Sequence, residues 1–200
     1  MNNMNGKEFY KALLSGVCKV ISRHEHLNKI NVFPVPDGDT GTNLLFTLRP
    51  IIKIEDDISS HFGEALSLIA NTCIDSARGN SGTIMAQYFV GISETCSGYE
   101  VLSNENLANL LDAGYTAAKS SMSDPKEGTI ISVMRDVIDT AEKQKNEDDI
   151  SKMLNRLPLS LIKSIRFSHS NTSRGFLGGT ETASRTDSLI LMTSHYQILD

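Results

Sequence analysis

Apolar residues recur at helical spacing along most of this chain, and the recurrence is broken at a few short polar stretches. Phe9, Leu13, Val17, Val20 and Ile21 predict a first helix from about Gly6 to Glu25. His24 and His26 then stand at its end, where positive charge is favourable; two apart, they share no face and make no metal pair. After an irregular stretch, the apolar run Leu44 to Leu48 opens a short helix that ends near Pro50. Ile51 to Asp57 reads as a solvated acidic connection. Ser59 and Ser60 are capping residues for a third helix carrying Phe62, Leu66, Ile69, Ala70 and Cys73. Ala77 to Gly82 interrupts the pattern before Ile84 through Ile92 resumes it. A turn at Gly98 leads to a helix capped by Asn104, with Leu107, Leu110, Leu111, Tyr115 and Ala118 on one side. Ser123-Asp-Pro125 ends that helix, and Glu127-Gly-Thr-Ile opens the next, with Val133, Met134, Val137 and Ile138.

Asp148-Asp149 starts a further helix, Ile150 to Ile165, which Pro158 kinks or splits. From Arg166 to Ser188 serine, threonine and glycine dominate, as in a long loop; Leu189 to Leu199 is apolar enough for a last helix or strand. No useful length of strand alternation occurs elsewhere, and no repeat or linker divides the chain. The expected fold is all-α: one domain over residues 1–200, an antiparallel bundle or barrel of about eight helices.

Composition narrows the function. Two hundred residues suffice for one core, and a net charge of −5 without a basic block argues against nucleic acid or an anionic membrane as main partner. No apolar run is long enough for a membrane span, and the first residues lack the apolar centre of a signal peptide. Cys18, Cys73 and Cys96 form neither a disulfide framework nor a zinc pattern, which suits a reducing, cytoplasmic setting; each is expected to be a buried structural thiol. His61, His169 and His195 are scattered.

The chemistry gathers in Asn31-Val-Phe-Pro-Val-Pro-Asp-Gly-Asp-Thr-Gly-Thr-Asn43. Pro34 and Pro36 make a stiff, non-helical arm. Gly38 allows Asp37 and Asp39 to turn toward one point, offering the paired oxygen ligands that Mg²⁺ takes when phosphates complete its shell. Thr40, Gly41 and Thr42 then begin a helix, whose free N–H groups suit an anion. The same residues also make an ordinary surface turn with a threonine N-cap. An EF-hand is disfavoured, because Thr42 and Leu48 stand where its glycine and glutamate belong. Gly79-Asn80-Ser81-Gly82 lies at another helix start and suits a phosphate, although a plain helix–helix turn uses the same residues. It is neither a Walker loop nor a hydrolase elbow. Glu127-Gly128-Thr129 is a third such start. Alternate starts in an antiparallel bundle share one end, so the three could converge on a nucleotide phosphate chain with Mg²⁺.

Residues 31–43 resemble the signature of the nucleotide-binding domain of bacterial fatty acid kinases, within the dihydroxyacetone kinase L-subunit (DhaL, DAK2) superfamily. Ser76-Ala-Arg-Gly-Asn-Ser-Gly82 resembles that family's second motif and Pro125-Lys-Glu-Gly-Thr-Ile130 its third, so the likeness covers about residues 5–145. The resemblance implies a helical barrel with ATP or ADP at one end and two Mg²⁺ ions on its phosphates. It makes Asp37 and Asp39 catalytic metal ligands and Asn31 a further candidate ligand. Thr40, Thr42, Asn43, Gly79, Asn80, Ser81, Gly82 and Thr129 become nucleotide-side residues.

The implied activity is an ATP-dependent kinase domain or subunit that phosphorylates a fatty acyl carboxylate presented by a fatty-acid-binding partner. The alternatives are the L-subunit of a dihydroxyacetone (glycerone) kinase, working with another kinase subunit, and a non-catalytic nucleotide- or partner-binding fragment. A homodimer is left open. The tail departs from the family: Ser173 to Gly178 with Asp187 faintly resembles a nucleotide-covering loop, so residues 166–200 read as a divergent lid, the mark of a truncated gene product or a reading-frame change.

Overall fold

The computed structural model describes residues 3–32, 35–144 and 150. Six α-helices lie among them: α1 (Gly6–Ile30), α2 (Thr40–Leu48), α3 (Phe62–Ser76), α4 (Gly79–Thr95), α5 (Asn104–Ser120) and α6 (Ile130–Lys143). Two short 3-10 segments, Arg49–Lys53 and Glu55–Asp57, join α2 to α3. The expected helix over 150–165, the loop after Arg166 and the closing stretch lie outside the described residues, as do Phe33, Pro34, His169 and His195. Only Ile150 is described beyond Gln144, and it is fully buried.

A capping box starts α1: Asn5 Oδ1 accepts the Glu8 N–H at 3.0 Å, and Glu8 Oε2 accepts the Asn5 N–H at 2.9 Å. Tyr10, Leu13, Val17, Val20 and Leu27 form its buried stripe. Leu27 and Ile30 carry that stripe one turn past the expected end, so α1 stops at Ile30 rather than Glu25. His24 and His26 therefore lie inside the helix, and Lys29 is the basic residue of its last turn. Cys18, next to the buried Val17, falls on the outer face and is exposed, against expectation; of the three cysteines only Cys73 and Cys96 are buried.

Helix α3 is capped by His61, whose ring accepts the Glu64 N–H, while Ser59 donates to the Glu64 carboxylate at 2.6 Å. The expected serine cap thus works one step removed. Ile51, placed by the sequence in a solvated link, is fully buried under the Tyr10 hydroxyl, which donates to its carbonyl at 3.0 Å. Helix α5 takes Ser103 as its N-cap residue, one position before the expected Asn104. Asn3–Asn5 pairs antiparallel with Val101–Ser103 as β1 and β2, a ribbon the sequence pattern did not reveal. Three residues per strand are too few to show an alternation.

Helices α4 and α5 run antiparallel in close contact. A Cβ on Gly91 would overlap the Ala113 carbonyl, and one on Gly114 would press on Tyr88 and Ile92. The helices surround an apolar cavity of about 140 Å³, lined among others by Phe9, Leu13, Val17, Met85, Phe89 and Leu110. No helix among the described residues is long and apolar enough to cross a membrane.

Candidate functional site at the starts of α2 and α4

The last turn of α1 supports the aspartate turn. Asn31 closes α1 and donates its side-chain N–H to Asp37 Oδ1. Gly38 takes a φ of 65°, a left-handed conformation that brings Asp37 and Asp39 to either side of a sharp bend. Both carboxylates are exposed. Asp39, not Thr40, is the N-cap residue of α2, and its carbonyl accepts the Asn43 N–H at 2.9 Å. Gly41 is buried against α1, where any Cβ would overlap the His24 carbonyl. Asn28, in the last turn of α1, accepts the Thr42 N–H at 3.0 Å and donates to Thr42 Oγ1 at 2.8 Å.

The second motif is fastened to the first. Thr47 Oγ1 donates to the Asn43 carbonyl at 2.8 Å and accepts the Arg78 N–H at 3.2 Å. Gly79 has a φ of 57° and lies on the Asn43 side-chain amide so closely that a Cβ would overlap it. Gly82 meets Thr47 in the same way. Ser81 Oγ donates to the Thr40 carbonyl at 3.3 Å. The first turns of α2 and α4 therefore lie side by side, with Asp37, Asp39 and Asn80 exposed around them.

The third motif is a separate brace. Arg135 donates two hydrogen bonds of 2.7 Å to the Glu127 carboxylate, and Ser132 Oγ donates a third of 2.6 Å. Ser132 Oγ in turn accepts the Gly128 N–H at 2.8 Å, holding Gly128 at a φ of 82°. Thr129 caps α6, accepting from the Ile131 N–H and donating to the Lys126 carbonyl at 2.8 Å. These bonds stay within its own turn. Because α5 runs back along α4, and Lys119 in its last turn lies near Glu127, α6 starts at the same end of the bundle as α4. The structure thus joins the first two motifs directly and brings the third to the same end, with no bond to them among the described residues.

Arg135, then Ser132, holds the Glu127 carboxyl below its ordinary value. A carboxylate lowered in the folded state contributes stability above its unfolded pKa and loses it as pH falls through the folded value. The pair is largely exposed, so the contribution is about 1 kcal/mol or less. Thermal unfolding of the protein and of Glu127→Gln should therefore differ modestly near neutrality, and the difference should vanish in acid.

Neither buried cysteine is an activated nucleophile. Burial pushes the Cys73 thiol up to about 12 and that of Cys96 to about 11. Among the described residues no three His, Cys, Asp or Glu side chains cluster to hold a metal. Asp37 and Asp39 supply only part of a coordination shell, a donor set that suits a hard cation sharing its remaining positions with water and phosphate. Asn28, Thr47 and Arg78 around the first two motifs, and Ser132 and Arg135 behind the third, are not singled out from sequence. Arg78 stands inside the second motif as an exposed cation; Asn28 precedes the first motif and acts from a different helix.

Comparison with known proteins shows the family and the fold. Residues 34–160 match the family model described as the DAK2 domain. The chain is 33% identical over 150 residues to an uncharacterized protein of Staphylococcus saprophyticus, covering 74% of this chain and 27% of that protein. It is 31% identical over 156 residues to an uncharacterized protein of Staphylococcus aureus strain USA300, covering 77% and 28%. It thus spans little more than a quarter of these relatives. The crystal structure of the dihydroxyacetone kinase of C. freundii shares the fold, with a TM-score of 0.65 and 15% identity over 92% of this chain and 33% of that one. With the DAK2 model covering well over half of its residues, the chain belongs to the DAK2 domain family.

Proposed function

We propose that this chain is a nucleotide-binding kinase domain or subunit that takes ATP or ADP with Mg²⁺ at the paired starts of α2 and α4. The observation that carries the reading is the fastening of the aspartate turn to the glycine turn, Ser81 on Thr40 and Gly79 on Asn43. Asp37 and Asp39 would ligate Mg²⁺, as one ion or two, with Asn31 a further oxygen ligand through its carbonyl. Backbone N–H groups at Gly79 to Gly82, with the Asn80 and Ser81 side chains, would meet the phosphates, and Thr40, Thr42, Asn43 and Thr129 would stand on the nucleotide side. Phosphoryl transfer rests mainly on positioning and charge neutralisation, so no activated protein nucleophile is required.

The acceptor we favour is a fatty acyl carboxylate carried by a separate lipid-binding protein, on the Phe-Pro-Val-Pro form of the first motif. A second reading, an L-subunit of a dihydroxyacetone kinase acting with another subunit, is favoured by the shared fold with that enzyme. Exchange of bound ADP separates them: a recycled phosphoryl carrier stays bound, and a kinase substrate turns over. A chain that binds ATP well but transfers phosphate with neither partner would be a binding module only.

Calorimetric titration with ATP, with and without Mg²⁺, tests the site itself. Tight binding that depends on Mg²⁺ is the expected result. Absence of binding to the intact chain would remove the assignment.

A further inference from the structure

We infer that Asn28, on α1, is the positioning residue that keeps the Asp39 carboxylate free for a ligand, by capping α2 in its place. The inference rests on the Mg²⁺–nucleotide reading of the aspartate turn.

An aspartate at a helix N-cap ordinarily has β-region backbone and turns its carboxylate onto the N–H two or three residues on. Asp39 holds that position in α2 and does neither. Its φ and ψ are −112° and −7°, in the helical region, and its side chain makes no capping bond. The donor it would have taken, the Thr42 N–H, is accepted by Asn28 Oδ1 at 3.0 Å. Asn28 Nδ2 also donates to Thr42 Oγ1 at 2.8 Å, so one amide holds the backbone and the side chain of Thr42 together. Having accepted that bond, the Thr42 hydroxyl retains its own hydrogen to donate.

The approach depends on Gly41, since a Cβ there would press on the Asn28 side chain and overlap the His24 carbonyl. It also depends on α1 continuing to Ile30, which carries Asn28 and Asn31 to the same place. Asn31 bonds Asp37 before the bend, and Asn28 bonds Thr42 after it. Asp39 lies between these two anchors, exposed and not spent on its own helix. Without Asn28 the Thr42 N–H has no acceptor, and the Asp39 carboxylate, three residues earlier, stands in the usual place to supply one. Capping would then compete with metal ligation for the same oxygens.

The test uses the full chain and two measurements. The first needs no nucleotide: the NMR coupling across the Thr42 N–H hydrogen bond is expected to reach the Asn28 side-chain carbonyl carbon. In Asn28→Ala it is expected to reach the Asp39 carboxyl carbon. The second is the dissociation constant of ATP with and without Mg²⁺. Asn28→Ala is expected to lose on the order of tenfold of the Mg²⁺-dependent gain, with Mg²⁺-free affinity changed less than about twofold. Asn28→Asp, which keeps an acceptor for the N–H, is expected to retain most of that gain. Adding Asp39→Asn to Asn28→Ala is expected to cost on the order of tenfold, less than Asp39→Asn costs in the wild-type chain, because both changes act on the same ligand.

Equal losses with and without Mg²⁺ would mark Asn28 as a purely structural cap and overturn the inference, as would a full Mg²⁺ gain in Asn28→Ala. A wild-type chain that shows the Asn28–Thr42 coupling but no Mg²⁺ gain would overturn the nucleotide reading, and the positioning role with it, while leaving the cap demonstrated.

Discussion

Asp37→Ala and Asp39→Ala are each expected to cost on the order of 100-fold or more in Mg²⁺-dependent ATP affinity while leaving the helical fold intact. Removing a group that merely orients a metal ligand typically costs roughly 10- to 100-fold, and deleting the ligand itself should cost no less. Both carboxylates are exposed, and Asp37 bonds only to Asn31 among the described contacts, so neither substitution buries an unpaired group. The stability change should therefore stay within about 0.5 kcal/mol. Calorimetry with and without Mg²⁺, beside circular dichroism, reads both quantities. Unchanged Mg²⁺-dependent binding in both variants would sink the assignment of the turn.

Gly41→Ala is expected to be the most damaging single-methyl change at this end of the bundle. The new Cβ would overlap the His24 carbonyl carbon and oxygen, and these belong to the backbone of α1 and cannot turn aside. Relief requires α1 and α2 to move apart. Inserting atoms into a close-packed contact typically costs about 1–3 kcal/mol, and a clash with backbone belongs at the upper end or beyond. The movement would also lengthen the Asn28–Thr42 bonds, so nucleotide affinity should fall together with the melting temperature. Denaturant unfolding and ATP titration of the same preparation check the two effects. A Gly41→Ala chain of undiminished stability would show that the helices do not cross as closely as described.

Gly79 and Gly41 look alike in the sequence, each a glycine at a helix start, yet they serve different ends. Gly79 is a backbone requirement, with a φ of 57°, as well as a close approach to Asn43. Gly41 is an ordinary helical residue whose lack of a side chain lets another helix pass. Composition shows only that a glycine is present; which constraint demands it depends on what lies opposite.

Much of the helical layout was legible beforehand because it is local. Apolar spacing announced the α-helices up to α6, and Pro, Gly and Asp-rich breaks announced the gaps between them. The aspartate turn was legible for the same reason: Pro36, Asp37, Gly38 and Asp39 constrain one another over a few bonds. Errors came where a distant partner decided the outcome. Helix α1 ran on to Ile30 because Leu27 and Ile30 found the core, and Cys18 proved exposed because its neighbour Val17 took the buried position. The β1–β2 ribbon joins residues about a hundred positions apart and carries no period of its own.

The candidate site divides along the same line. Its residue types and its three helix starts are written in the order of the chain, because capping, turn formation and the ligand chemistry of carboxylates are properties of adjacent residues. That the starts of α2 and α4 touch, through Ser81 and Thr40 and through Gly79 and Asn43, is a matter of packing between segments some 40 residues apart. So is the cap that Asn28 lends to α2 from another helix. No spacing rule reaches across such a gap, because the approach of two helices is settled by the sum of their buried contacts. Only the folded chain decides which polar side chains are consumed in holding the turn and which are left for a ligand.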